Sequence, residues 1–141
     1  MKKISVLFVC LGNICRSPAA EAIFLDLVKK KGLAEVFIVD SAGTGSWHIG
    51  KKADTRMRIA AERRDINILG RARQINIKDF DNFNYILAMD NSNFKNINDL
   101  KNRKSSSNFA SIKKIQDFRS VFEDQEVPDP YFGGDDGFDY V

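Results

Sequence analysis

A cysteine stands six residues before an arginine in Cys10-Leu-Gly-Asn-Ile-Cys-Arg16-Ser17, directly after an apolar run from Ile4 to Val9. An amphipathic segment opens at Ser17-Pro18. That order reads as strand, tight loop and helix N-terminus. Such a loop turns backbone N–H groups inward, where they hold a dianionic phosphate. Leu11, Gly12, Asn13, Ile14, Cys15, Arg16 and Ser17 would surround the anion. A cysteine beside N–H dipoles and a guanidinium is the kind that reacts as its thiolate. Beneath a bound phosphoryl group it can attack phosphorus in line. Arg16 can clamp the equatorial oxygens through two parallel N–H bonds.

Cleaving a phosphomonoester also needs an acid to protonate the leaving oxygen, and the same group must then act as base toward water. His48 is the chain's single histidine. It lies in a Gly-rich turn and reads as a surface residue. A carboxylate is therefore sought, and Val127-Pro128-Asp129-Pro130-Tyr131-Phe132-Gly133 offers Asp129. A proline on each side fixes the backbone there. By itself an Asp-Pro pair signals no more than a turn.

These residues acquire a context from their neighbours. The stretch Val6 to Glu21, VLFVCLGNICRSPAAE, closely resembles the low-molecular-weight protein-tyrosine phosphatases. So do DSAGTG at 40–45, ARQI at 72–75, YILAMD at 85–90 and the Asp-Pro-Tyr loop at 129–131. The resemblance implies hydrolysis of phosphotyrosine through a cysteinyl-phosphate, with no metal and no cofactor. It makes Cys10 the nucleophile, Arg16 the clamp and Asp129 the general acid. It implies that Asn13 and Ser17 stabilise the loop, that Ser41 hydrogen-bonds Asn13, and that Asp90 has a supporting role. Ile14, Trp47 and Tyr131 would form the walls around the substrate ring. Cys15, in the same loop as Cys10, would resolve an oxidised nucleophile as a disulfide.

Departures from the family pattern are visible too. Tyr131 is followed by Phe132 where a second tyrosine is common, and the histidine that eukaryotic members carry near Gly70 is missing. The resemblance also implies a C-terminal helix that is cut short at Val141. Two rivals share the fold. Arsenate reductases relay oxidation through later cysteines, and this chain has only Cys15 besides Cys10. Protein-arginine phosphatases have threonine at the position of Ile14. A phosphate-binding module without activity is a third alternative, disfavoured by Cys10, Arg16 and Asp129 occurring together.

The elements that must position these residues follow from the hydrophobic pattern. At 141 residues and 43% apolar, the chain suits a single domain, 1–141, with a sizeable core. Ile4–Val9 is a near-continuous apolar run, as expected of a central parallel strand buried on both faces. Ser17 suits an N-cap and Pro18 a first helical position, with Ala20, Ile23, Phe24, Leu27 and Val28 on the inner face. Val36–Val39 predicts a strand and Asp40–Ser46 a long turn. Helices are predicted over Ala53–Arg64, Asp79–Phe83 and Asn91–Leu100, and strands over Tyr85–Met89 and Ser111–Ile115. Strand–helix alternation predicts an α/β, doubly wound, mostly four-stranded parallel sheet with helices on both faces.

Charge and composition limit the partners. The net charge of +3 does not by itself call for nucleic acid. It is unevenly spread, since residues 117–141 carry eight acidic side chains and one basic. No apolar run is long enough to cross a membrane. Met1-Lys2-Lys3 and the following apolar run lack a small-residue cleavage site and do not read as a secretory signal. Two cysteines so close together form no disulfide framework, and a reactive thiol suits the cytoplasm. Phosphotyrosine proteins are the expected partners of a monomer or weak dimer.

Overall fold

The computed structural model describes residues 3–103 and 110–115. Within them the chain runs β1 (Ile4–Cys10), α1 (Arg16–Lys30), β2 (Phe37–Gly43), α2 (Thr55–Glu62), α3 (Asp79–Asn82), β3 (Tyr85–Ala88), α4 (Asn91–Lys101) and β4 (Ser111–Lys114). The four strands form one parallel sheet in the order β2-β1-β3-β4. The doubly wound α/β sheet read from the sequence is therefore present. The C-terminal segment, with Asp129 and Tyr131, lies outside the described residues.

Strand order reverses at β1. The chain leaves β1 toward β2 on one side, then crosses to β3 on the other. Such a reversal opens a crevice at the carboxyl ends of the strands, where ligands bind in open α/β sheets. Cys10 ends β1 at that point.

Alternation along β1 splits the core in two. Val6, Phe8 and Cys10 join Met89 on one face, packed against Ala20 and Phe24 of α1. Leu7 and Val9 join Ile86 and Ala88 on the other, under Phe80 and Phe83 and Ile97 of α4. Both faces of the central strand are thus filled, which is why its sequence from Val6 to Val9 is apolar throughout.

Helix α1 departs from the sequence prediction at its start. Arg16 is already helical and Cys15 is the cap, with no side-chain capping bond. Ser17 sits inside the first turn, its hydroxyl committed to the loop. The other end is as predicted. Gly32 adopts φ +71, Leu33 N–H bonds Val28 O at 2.7 Å and Gly32 N–H bonds Lys29 O at 3.1 Å. That is the paired C-terminal closure for which glycine is favoured. Ile23 and Leu27 were expected to face inward, but both are about half exposed. Each is rotated by about 100° from its neighbour, Phe24 or Val28, which takes the inward stripe.

The predicted long turn at 40–46 is shorter than expected. Asp40–Gly43 continues β2, paired in parallel with Leu7–Cys10. Small residues there allow close approach, which the phosphate loop requires.

Candidate functional site

Asn13 carries the turn of the loop. Its φ is +59, in the left-handed region that few residues other than glycine and asparagine tolerate. This conformation aims its N–H at Cys10 Sγ, 3.3 Å away. Its side chain works in two directions. Nδ2 donates to Ser17 Oγ at 2.8 Å, and Oδ1 accepts from the Arg73 N–H at 2.9 Å. Ser17 is fully buried, with Oγ 3.0 Å from Cys10 Sγ and 3.3 Å from the Ala42 carbonyl. Asn13 already donates to this hydroxyl, so its single proton is directed at the sulfur or at Ala42 O.

Arg16 is 2% exposed at the start of α1. Its Nη1 donates to Asp90 Oδ2 at 2.6 Å. Asp90 follows β3 and caps α4, accepting from the Asn93 N–H at 2.7 Å through its other oxygen. One carboxylate thus fixes a helix start and a guanidinium plane. The sequence reading gave Asp90 a supporting role, and the geometry supplies the means.

The ends of the first strands close around the loop. Thr44 N–H bonds Cys10 O and Gly45 N–H bonds Leu11 O, both at 2.9 Å. Gly43 has no room for a side chain. A Cβ there would lie 2.7 Å from Leu11 O and 3.0 Å from Asn13 N. Gly45 is covered by Trp47, whose ring would come within 1.9 Å of an added Cβ. Trp47 itself is 67% exposed and lines an open groove with Leu11.

Two residues of the sequence reading take other positions. Ile14 was expected to project toward the substrate. It is 7% exposed, in an apolar cluster with Ala53 and Met57, while its carbonyl accepts from the Asp54 N–H at 2.7 Å. Its side chain packs the loop against α2, because an apolar β-branched group gains more from burial there than from exposure at the rim. Ser41 was expected to bond Asn13. Its hydroxyl instead donates to Glu21 Oε1 at 2.6 Å, and Asn13 finds its partners in Ser17 and Arg73.

Two residues were undervalued from sequence. His48, read as a surface residue, is half-buried and lies against the loop, with Cδ2 2.9 Å from where a Gly12 Cβ would be. Arg73 anchors the loop from behind. Its N–H holds Asn13, its carbonyl accepts from Gly43 N–H at 2.8 Å, and its guanidinium bonds both oxygens of Asp79 and Asp40 Oδ2 at 3.0–3.1 Å. The ARQI resemblance marked its position without its role. Asp79 is buried, so the paired Arg73 is needed to keep its charge satisfied. Among the described residues no group of three or more histidine, cysteine or acidic side chains could hold a metal. None of the described helices is long and apolar enough to cross a membrane.

The family model for low molecular weight phosphotyrosine protein phosphatases matches residues 5–141. The chain belongs to this family. It is therefore a phosphoric monoester hydrolase by membership. The low molecular weight phosphotyrosine protein phosphatase of Schizosaccharomyces pombe is 46% identical over 138 residues, covering 97% of this chain and 86% of that protein. A crystal structure of the protein tyrosine phosphatase from Entamoeba histolytica with Hepes in its active site superposes with a TM-score of 0.89 at 44% identity. That match covers 98% of this chain and 86% of the other. A Drosophila arginine phosphatase superposes with a TM-score of 0.91 at 38% identity, covering 99% and 87%.

Two expectations follow for the loop's surroundings. Gly43→Ala must push Leu11–Asn13 away from its place. A displacement of about 1 Å can cost about 10²-fold in rate, and overpacking about 1–3 kcal/mol of stability. Steady-state turnover of p-nitrophenyl phosphate beside urea unfolding checks this, and wild-type kcat in the folded variant would refute it.

Burial pushes the Glu21 carboxyl above its ordinary range, with Asp40 adding to this and the Ser41 hydroxyl and Arg73 opposing it. A carboxyl that holds its proton more tightly folded than unfolded loses stability as pH rises through that window. Glu21→Gln keeps an acceptor for Ser41 and cannot ionise. Its stability relative to wild type should therefore be greater at about pH 7 than at about pH 4. Urea unfolding at both pH values that gives the same difference would contradict this.

Proposed function

We propose that this phosphatase hydrolyses phosphotyrosine in proteins through a covalent phosphoenzyme. Cys10 Sγ attacks phosphorus as the bond to the tyrosyl oxygen breaks. Asp129 gives that oxygen its proton. Water then attacks the cysteinyl-phosphate, Asp129 takes a proton from it, and the S–P bond breaks to release phosphate. Arg16 and the loop N–H groups hold the equatorial oxygens throughout. The observation that carries the reading is the convergence on Cys10 Sγ of the Asn13 N–H and the Ser17 hydroxyl, with Arg16 held nearby by Asp90. Leu11, Gly12, Ile14 and Cys15 complete the phosphate cradle. Trp47 and Tyr131 bound the ring of the substrate.

The similarity to an arginine phosphatase keeps phosphoarginine as the second reading. Turnover of p-nitrophenyl phosphate beside phosphotyrosine, phosphoserine and phosphoarginine peptides separates the two. Phosphotyrosine is expected to lead. Cys10→Ser should abolish turnover while vanadate still binds. Asp129→Ala should lose about 10²-fold or more in kcat, with a smaller loss on esters with good leaving groups. A preference for phosphoarginine, or substantial activity in Cys10→Ser, would falsify the assignment.

Oxidation offers a control on the same sulfur. Peroxide converts the Cys10 thiolate to a sulfenic acid, and the Cys15 thiol condenses with it, forming the disulfide and releasing water. Both cysteines are buried in the loop region. Such chemistry fits a reducing cytoplasm, where a monomer or weak dimer would work; cell fractionation and analytical ultracentrifugation check compartment and assembly. Peroxide-treated wild type should regain activity with dithiothreitol, and Cys15→Ser should regain less. Equal recovery of the two proteins removes the switch.

A further inference from the structure

The segment from Lys51 to Arg71 holds seven basic side chains against three acidic ones. Part of this charge is already matched. Asp54, the N-cap of α2, pairs with Arg56 at 3.2 Å. Burial alone would push its carboxyl up, but the Arg56 side chain and N–H hold it below the ordinary range. Three of the other basic side chains, Lys52, Arg58 and Arg71, line a groove of about 320 Å³, with Glu62, Gly70 and Leu69 also in its lining. Glu62 is the one acid of that lining among the described residues.

These cations are held in place without being neutralised. Arg58 donates to the Ala53 carbonyl at 3.0 Å and to Thr55 Oγ1 at 3.1 Å. Arg71 donates to the Gly50 carbonyl at 3.0 Å. Neither they nor Lys51 and Lys52 have a carboxylate partner among the described residues. A guanidinium anchored on one edge by a neutral oxygen keeps its other donors for an anion. Leu69, 82% exposed, gives the margin an apolar contact.

The groove is joined to the catalytic loop by backbone bonds. Gly50 N–H bonds Ala72 O and Ala72 N–H bonds Lys51 O, both at 2.8 Å, zipping the segment with Lys51 and Lys52 to the one with Arg71. Asp54 N–H bonds Ile14 O at 2.7 Å. Trp47, the exposed aromatic beside Leu11, begins the same segment that ends in Lys52 and Asp54.

We propose that this groove binds acidic side chains of the polypeptide that flanks the phosphotyrosine of a protein substrate, an inference that rests on the phosphatase reading above. A peptide carries its carboxylates on an extended backbone of about 3.3 Å per residue, so acids a few positions from the phosphotyrosine can reach beyond the catalytic slot. The small concave shape and the apolar margin fit side chains of a peptide better than a nucleic-acid backbone, which needs a long basic stripe.

The test compares kcat/KM for phosphotyrosine peptides with an Asp/Glu block and with the same block changed to Asn/Gln, using p-nitrophenyl phosphate as the reference substrate. The acidic peptide should be favoured by about fivefold at low salt, and the gain should fade at about 0.5 M salt. In Lys52→Glu/Arg71→Glu that ratio should fall to about one or below, with p-nitrophenyl phosphate turnover retained. A labelled acidic peptide without phosphate, followed by fluorescence anisotropy, tests the groove independently of catalysis; it should bind wild type more tightly than the double variant. Loss of turnover on every substrate with peptide binding intact would count against the phosphatase reading and leave the groove standing. Equal kcat/KM for the two peptides in wild type, an acidic preference that survives the double variant, or displacement of the peptide by DNA at equal charge would overturn the proposal.

Discussion

One residue in the left-handed conformation, Asn13, holds the site together. Its positive φ turns the chain so that its own N–H meets Cys10 Sγ. Its side-chain amide then has both ends in use, one on Ser17 and the other on the Arg73 backbone. A primary amide can donate and accept at once, so no single-function side chain could bridge these two partners. Asparagine also tolerates the left-handed region better than most residues. Both requirements meet at one position, and the loop's shape depends on it.

Behind the loop the support becomes electrostatic. Arg73 joins Asp40 at the middle of β2 to Asp79 at the start of α3. Its carbonyl and N–H hold Gly43 and Asn13 at the same time. A charged layer of this kind costs desolvation, and removing one partner leaves a buried charge unmatched. Its value is geometric. It ties the end of β2, a short helix and the loop around Asn13 to one residue that cannot move without breaking several bonds.

Much of this was legible in the chain, and for definite reasons. The buried strand β1 declares itself because both its faces are covered, and Gly32 marks the end of α1 because a left-handed closure was needed there. The Cys10 to Ser17 spacing marks the loop because local chemistry fixes it. What sequence could not give was contact between distant segments. Ser41 reaches Glu21 and not Asn13, Ile14 turns under the loop, and His48 lies against Gly12. Each of these outcomes depends on how α1, α2 and the 44–54 segment pack, and no periodicity records that. Asp40–Gly43 misled for the opposite reason. Its residues look like a turn, yet Gly43 is a glycine because the loop leaves a side chain no room there.

The three strand ends explain why the machinery can be so short. β1 ends in Cys10, β2 in Gly43, and β3 leads directly into Asp90. Parallel pairing brings these ends to one edge of the sheet. Cys10, the close-approach glycine and the carboxylate that bonds Arg16 therefore arrive together without any long connection. Asp90 can aim Arg16 because its other oxygen is committed to capping α4, which fixes the carboxylate plane. A guanidinium has five donors, and the Asp90 bond at Nη1 uses one of them while setting the orientation of the whole fork. On the phosphatase reading proposed above, a dianion entering the loop would meet a guanidinium whose plane is already set, leaving little reorganisation when charge shifts in the transition state.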